Sequence, residues 1–234
     1  MVIPRLFSFI GVLALSAGAA FAQGPTKGAP GTMEAAAAAS TKVIQTLQNA
    51  KAIKAYQWTE TMVVMVEGKE KDTVVNTCSY NDAGGVARTA VDAKKSEQVA
   101  GGTPGTSVEI DSYVKASVGV MRQYVRPDPL KLQQCQDATR ISVAMEDGGK
   151  HEKLTYRDYM KKGDNLTLVV DPATSQIISL TASTYMTNPG DRADIHTEMS
   201  QMPDGTAYPS HIKFDTPGRQ MGMVVTNTNF QKKS

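Results

Sequence analysis

From Arg140 onward, apolar residues recur at every second position: Ile141, Val143 and Met145, then Leu154 and Tyr156, then Leu166, Leu168 and Val170. Ile178 and Leu180, Ile195 and Met199, and Ile212 and Phe214 continue the pattern, and a last strand is expected over residues 220–230. A period of two sends successive side chains to opposite faces of a strand, one for a core and one for water. The connections "EDGGK", "KKGDN", "DPATS" and "MPDGT" are turn formers, too short to hold a crossover helix. Strands joined so closely must run antiparallel. If Val170 faces Gln176, then Leu168 meets Ile178 and Leu166 meets Leu180, so turn length and apolar pattern agree.

The first half mixes periods. "EAAAAASTKVIQTLQNAKAI" places Val43, Ile44, Leu47 and Ala50 on one face at helical spacing, with alanines of high helix propensity, and predicts a helix over residues 34–54. Three strands follow, through "YQWTETMVVMV", "TVVNTCSY" and "VARTAV", separated by "EGKEKD" and "NDAGG". A Gly-rich stretch leads into a second helix carrying Ile110, Tyr113, Val114, Val118, Met121 and Tyr124, which Pro127 stops. Asp128 and Pro129 open a third as N-cap and first helical residue, and it carries Cys135. No strand–helix–strand rhythm repeats, which argues against a doubly wound parallel fold. The expected class is α+β: one curved antiparallel sheet of about ten strands, an incomplete barrel, with helices packed on one face.

The extreme N-terminus has the layout of a secretory signal peptide: Arg5, the apolar run "LFSFIGVLALSAGAA", and Ala20-Phe21-Ala22 before Gln23. Residues 1–22 are expected to be removed and residues 23–33 to form a flexible leader, leaving residues 34–234 as a single domain. No cysteine stands at the cleavage point and no later segment is apolar enough to span a bilayer, so the mature chain is expected to be periplasmic or secreted. The formal charge of the whole chain is +2, with lysines scattered among acids, not the basic stripe of a nucleic-acid binder. Cys78 and Cys135 are the two cysteines, and in an oxidising compartment they are expected to form a disulfide, worth roughly 4 kcal/mol in the chain-entropy model.

Catalytic signals are thin. The hairpin "ADIHTEMSQMPDGTAYPSHIKFD" turns at Asp204-Gly205. If Pro203 faces Thr206, Ile195 meets Phe214 and Glu198 meets His211; a slide by two brings His196 against His211 instead. In either register Asp194, His196, Glu198, His211 and Lys213 share the face away from Ile195, Met199, Ile212 and Phe214. Two imidazoles, two carboxylates and a competing ammonium on a flat sheet make a solvated charged face, not the three- or four-ligand array that zinc requires. His151 has no evident partner, and no G-x-S-x-G, phosphate-binding loop or H-E-x-x-H is present. The 12 methionines fit core filling first, an adaptable ligand lining second and Cu(I) last. No metal, cofactor or catalytic residue is expected, and the chain reads as a non-enzyme.

The second half, with "GDNLTLVVDPATSQIISLTAST", "PDGTAYPSHIKF" and "MGMVVTNTNF", resembles the periplasmic lipoprotein-carrier superfamily, the LolA/LolB-like proteins. A strand ending in an Asp-led turn, a long strand and a Gly…Tyr-Pro…Ile hairpin recur there near the C-terminus. The resemblance extends in element order over residues 33–230. It implies a half-barrel whose concave face, lidded by helices, holds acyl chains or a partner's lipid. In this chain that face would gather Trp58, Met62, Val64, Leu168, Ile178, Leu180, Ile195, Met199, Ile212 and Phe214, with Val118 and Met121 from the second helix. Lipid or a lipidated protein is then the expected partner. The alternative is an envelope structural or protein-interaction module with a solidly packed core. N-terminal sequencing of exported protein is expected to start at Gln23, and an intact Met1 would refute the cleaved leader.

Overall fold

The computed structural model describes residues 31–49, 52–81, 85–94 and 104–233. The expected signal peptide, its cleavage site and all of the leader before Gly31 lie outside them. Ten strands form one open antiparallel sheet: β1 (Tyr56–Val66), β2 (Lys69–Tyr80), β3 (Val86–Lys94), β4 (Ile141–Glu146), β5 (His151–Arg157), β6 (Asn165–Val170), β7 (Ile177–Tyr185), β8 (Arg192–Gln201), β9 (Ala207–Thr216) and β10 (Met221–Lys232). Their order across the sheet is β3-β2-β1-β10-β9-β8-β7-β6-β5-β4. Every neighbour is also a neighbour in sequence except β1 and β10, which join a three-stranded wing to a seven-stranded meander. Helices α1 (Met33–Asn49), α2 (Pro104–Val125) and α3 (Pro129–Asp137) lie on the concave side, α1 and α3 against β4 and β5, α2 across β8 and β9. The α+β half-barrel expected from the sequence is the fold observed.

The alternation that predicts the strands also builds the core. Leu154 and Tyr156, Leu166 and Leu168, Leu180 and Ala182, Ile195, Ile212 and Phe214, and Met223 and Val225 all point inward and are buried. Over β4 to β10 this face is packed solid. Helix α2 is rich in β-branched valines, poor helix formers, so its stability comes from packing Met121 and Tyr124 onto that face. Tyr124 donates to Asp164 Oδ2 at 2.5 Å and shares a 2.8 Å hydrogen bond with Thr184. Asp164 Oδ2 also accepts from the backbone of Met160 and Lys161, so one buried carboxylate fixes the β5–β6 loop and the helix together. Burial, then the bond to Asp164, pushes the Tyr124 phenol far above its ordinary pKa. Asp128 caps α3 by accepting from Leu130 N at 2.9 Å, with Pro129 in the first turn as expected.

Four expectations need correction. The N-terminal helix ends at Asn49, and Ala52–Ala55 makes a separate 3-10 turn. Ile53 and Tyr56 pack with Met202 in a small cluster of their own, so this segment follows the β8–β9 hairpin and not α1. Between β6 and β7 the register is Leu168 with Leu180 and Leu166 with Ala182. Val170 faces Ile177 while Val169 faces Ser179, which makes Ile178 the extra residue of a bulge and turns it outward. His151 does have a partner, Asp147, at 2.9 Å. Finally, Cys78 and Cys135 are two separate buried thiols, not a disulfide. Cys78 lies on β2 and Cys135 on α3 against β5, each one strand in from opposite edges of the sheet, whereas a bridge needs Cα atoms within about 7 Å.

Burial raises both thiol pKa values, that of Cys78 to about 11. A thiol titration is therefore expected to find two reactive groups in unreduced, denatured protein and very slow reaction in folded protein. A count of fewer than two after denaturation would contradict this arrangement.

Candidate functional site

The inner face of the sheet falls into two parts. Leu168, Leu180, Ile195, Ile212 and Phe214 belong to the fully packed core, as do Val64 from β1 and Met121 from α2. Met62, Val118 and Met199 stand at its margin, partly buried, and Val66 and Val114 share that position. Trp58 is buried but elsewhere: it stacks on Phe230 at 5.7 Å, tilts against Tyr80 at 5.5 Å and donates Nε1–H to Asn227 at 3.0 Å. Ile178 lies on the outer surface. The structure thus brings eleven of the twelve expected residues to the concave side, but few of them to any surface that a ligand could reach.

The accessible strip of that side belongs to the wing. Along β1 the inward residues read Trp58, Glu60, Met62, Val64 and Val66. Helix α2 runs antiparallel to β1: Arg126, just past the helix C-terminus, lies over the Tyr80 ring at 4.7 Å, beside Trp58. At the other end Arg219 lies over Tyr113 at 5.2 Å, and Glu67, just past β1, donates its N–H to Gln220. Val118 and Val114 therefore lie toward the Met62–Val66 end of β1, and Arg122 and Arg126 toward the Trp58–Glu60 end.

Polar groups on the wing were not among the expected site residues. Glu60 and Arg88 both point inward, flanking β2, and Arg88 Nε and Nη2 donate to the two oxygens of Glu60 at 2.7 and 3.0 Å. A period of two in "QWTETM" places Glu60 on the same face as Trp58 and Met62, so this signal was present in the sequence. Arg88 could not be assigned, since its face depends on a bulge between Val75 and Asn76 in the β2–β3 ladder.

The histidine hairpin adopts the first of the two registers: Ile195 faces Phe214, His196 faces Lys213 and Glu198 faces His211. Its polar groups lie on the convex side, where His196 Nε2 is 3.9 Å from Glu198 and Lys213 Nζ is 3.0 Å from Asp215. Two shallow hollows open on this side, of about 320 and 470 Å³, the first lined by Thr167, Thr181, Asp194 and His196. Among the described residues no three His, Cys, Asp or Glu side chains gather as a metal site. None of the described helices is long and apolar enough to cross a membrane.

No family model matches the chain, and no curated protein matches it in sequence. Among solved structures it is similar to a DUF1329 family protein from Desulfovibrio piger, with TM-score 0.42 and 9% identity over 84% of this chain and 92% of that one. It is also similar to a LolA superfamily protein from Nitrosomonas europaea, with TM-score 0.38 and 8% identity over 83% and 94%. An outer membrane lipoprotein-sorting protein domain from Vibrio parahaemolyticus gives TM-score 0.36 and 10% identity over 83% and 94%. At these scores no ligand or partner passes from them to this chain.

Replacing His196 and His211 together by Gln is expected to change stability by no more than about 0.5 kcal/mol, since both side chains face outward. Leu168→Ala, in the solid part of the core, is expected to cost about 2–5 kcal/mol. Equal effects in chemical denaturation would contradict this division of the two faces.

Proposed function

We propose that the protein is an exported, non-enzymatic binding or carrier module of the cell envelope, whose ligand is a lipophilic group: an acyl chain or the lipid of a modified protein. One observation carries this reading. The inner face is largely buried over β4 to β9, but Met62 and Val66 on β1, and Val114 and Val118 on the α2 helix that runs antiparallel to it, are only partly buried. Apolar surface that a folded chain leaves between a sheet and its covering helix suits an apolar ligand. Methionine at its wall adapts to chains of differing shape. The same open sheet would serve an envelope interaction module, and the solid packing of β4 to β9 favours that second reading. Lipid binding separates the two.

A fluorescent fatty-acid probe is expected to bind the folded protein and to be displaced by unlabelled fatty acid. Met62→Trp, which fills the strip, is expected to weaken binding by about tenfold or more without lowering the melting temperature. Ile178→Gln, on the outer face, is expected to leave it unchanged. Folded protein that binds no such probe would refute the carrier and leave the interaction module.

A further inference from the structure

The strip just described changes character along its length, and both of its walls change in the same direction. On β1 the inward order runs Glu60, Met62, Val64, Val66. On α2 and just past its C-terminal end, reading back at intervals of four, the order is Arg126, Arg122, Val118, Val114. The two walls are antiparallel, so the charged ends coincide and the apolar ends coincide. From Glu60 to Val66 the strand covers about 20 Å, the reach of a long acyl chain.

At the charged end, among the described residues, Arg88, Arg122 and Arg126 outnumber Glu60. Arg122 stands near enough to Arg88, Glu60 and Cys78 to feel their charges; burial, then Arg88, lowers its pKa against the smaller pull of Glu60. Among the described residues Glu60 is the carboxylate brought against Arg88 and Arg122, and Arg88 already holds both of its oxygens. Arg126 rests on the face of Tyr80. Both Arg122 and Arg126 are exposed, and neither is in a salt bridge among the described residues.

Resting on the carrier reading above, we propose that Arg122 and Arg126 hold the oxyanion headgroup, carboxylate or phosphate, of an anionic amphiphile whose chain lies along Met62, Val66 and Val118. A guanidinium offers paired N–H donors that match two oxygens of such a group. The Arg88–Glu60 pair closes the floor of the site, with Glu60 holding Arg88 in place and neutral overall. A lipid without a charged head gains nothing from this end.

The test compares oleate, oleoyl lysophosphatidate and neutral monoolein by calorimetry on the full mature protein, with the R122Q/R126Q double variant in parallel and inorganic phosphate as a chain-free control. Both anionic lipids are expected to bind about tenfold or more tightly than monoolein, and the double variant to remove that advantage while leaving monoolein binding and melting temperature unchanged. The stronger of the two anionic probes identifies phosphate or carboxylate as the preferred head. Equal binding of all three lipids, or an advantage that survives in the double variant, would overturn the headgroup site and leave the carrier standing. Binding of none by folded protein would overturn both. Inorganic phosphate that matched the lipids in affinity, and was lost in the double variant, would show a site for a soluble anion and overturn the amphiphile.

Discussion

The pairing of β1 with β10 is the contact on which the rest of the molecule depends. Every other ladder joins strands that follow one another in the chain; this one joins the first strand to the last. It brings Met62 opposite Val225, Val64 opposite Met223 and Val66 opposite Met221, a continuous apolar seam on the inner face. Without it, β1 to β3 would be a three-stranded meander with little core of its own, and the strip between β1 and α2 would have one wall. Closing so long a loop costs entropy that only the completed seam repays, so the wing is expected to dock late in folding. A second tie supports the seam: Tyr56 at the start of β1 donates to Asp204 in the β8–β9 turn and, with Thr206, holds that carboxyl down at about 2.

The seam divides the molecule by physical character. On one side α1, α3 and the core of β4 to β9 bury most of their inward apolar side chains, and the buried Asp164 with its Tyr124 and backbone partners anchors α2 there. On the other side α2 runs along the wing, where Met62, Val66, Val114 and Val118 are only partly buried, with Arg122 and Arg126 at one end. A helix held firmly along one edge and loosely along the other suits a binding cleft, because the firm edge sets its position while the loose edge can part. The placement of polarity follows the same logic. Glu60 and Arg88 are tolerated on an inner face because they pair by two hydrogen bonds, which offsets the cost of taking either charge from water.

Bulges account for most of what the strand pattern could not foretell. One extra residue at Ile178 sends an apolar side chain outward. Another on β9, between Pro209 and His211, leaves Ser210 unmatched, and its hydroxyl donates to the Glu198 carbonyl. A third sits near the end of β10, where Asn229 adopts φ 55° and the ladder to β1 shifts. That shift accompanies the stacking of Phe230 on Trp58 in place of a simple continuation of the seam. Such bulges bend a sheet and raise its twist, as a half-barrel requires.

Local sequence determined a great deal of this protein. Period two and period 3.6 placed ten strands and three helices, the Asp128-Pro129 pair set the start of α3, and the charge of the His196–His211 hairpin kept that face outside. These features depend on neighbours a few residues away, where backbone geometry dictates which side chains share a face. Only the tertiary structure decided that Cys78 and Cys135 lie at opposite ends of the sheet, that Ile178 faces water and that most of the expected ligand-facing residues are closed core. It alone brought Arg122 and Arg126 to the polar end of β1. Those outcomes depend on which strands meet across the β1–β10 seam, on single-residue bulges that reverse parity, and on the direction in which α2 crosses the sheet. Each is a contact between distant parts of the chain, and alternation along one strand holds no record of it.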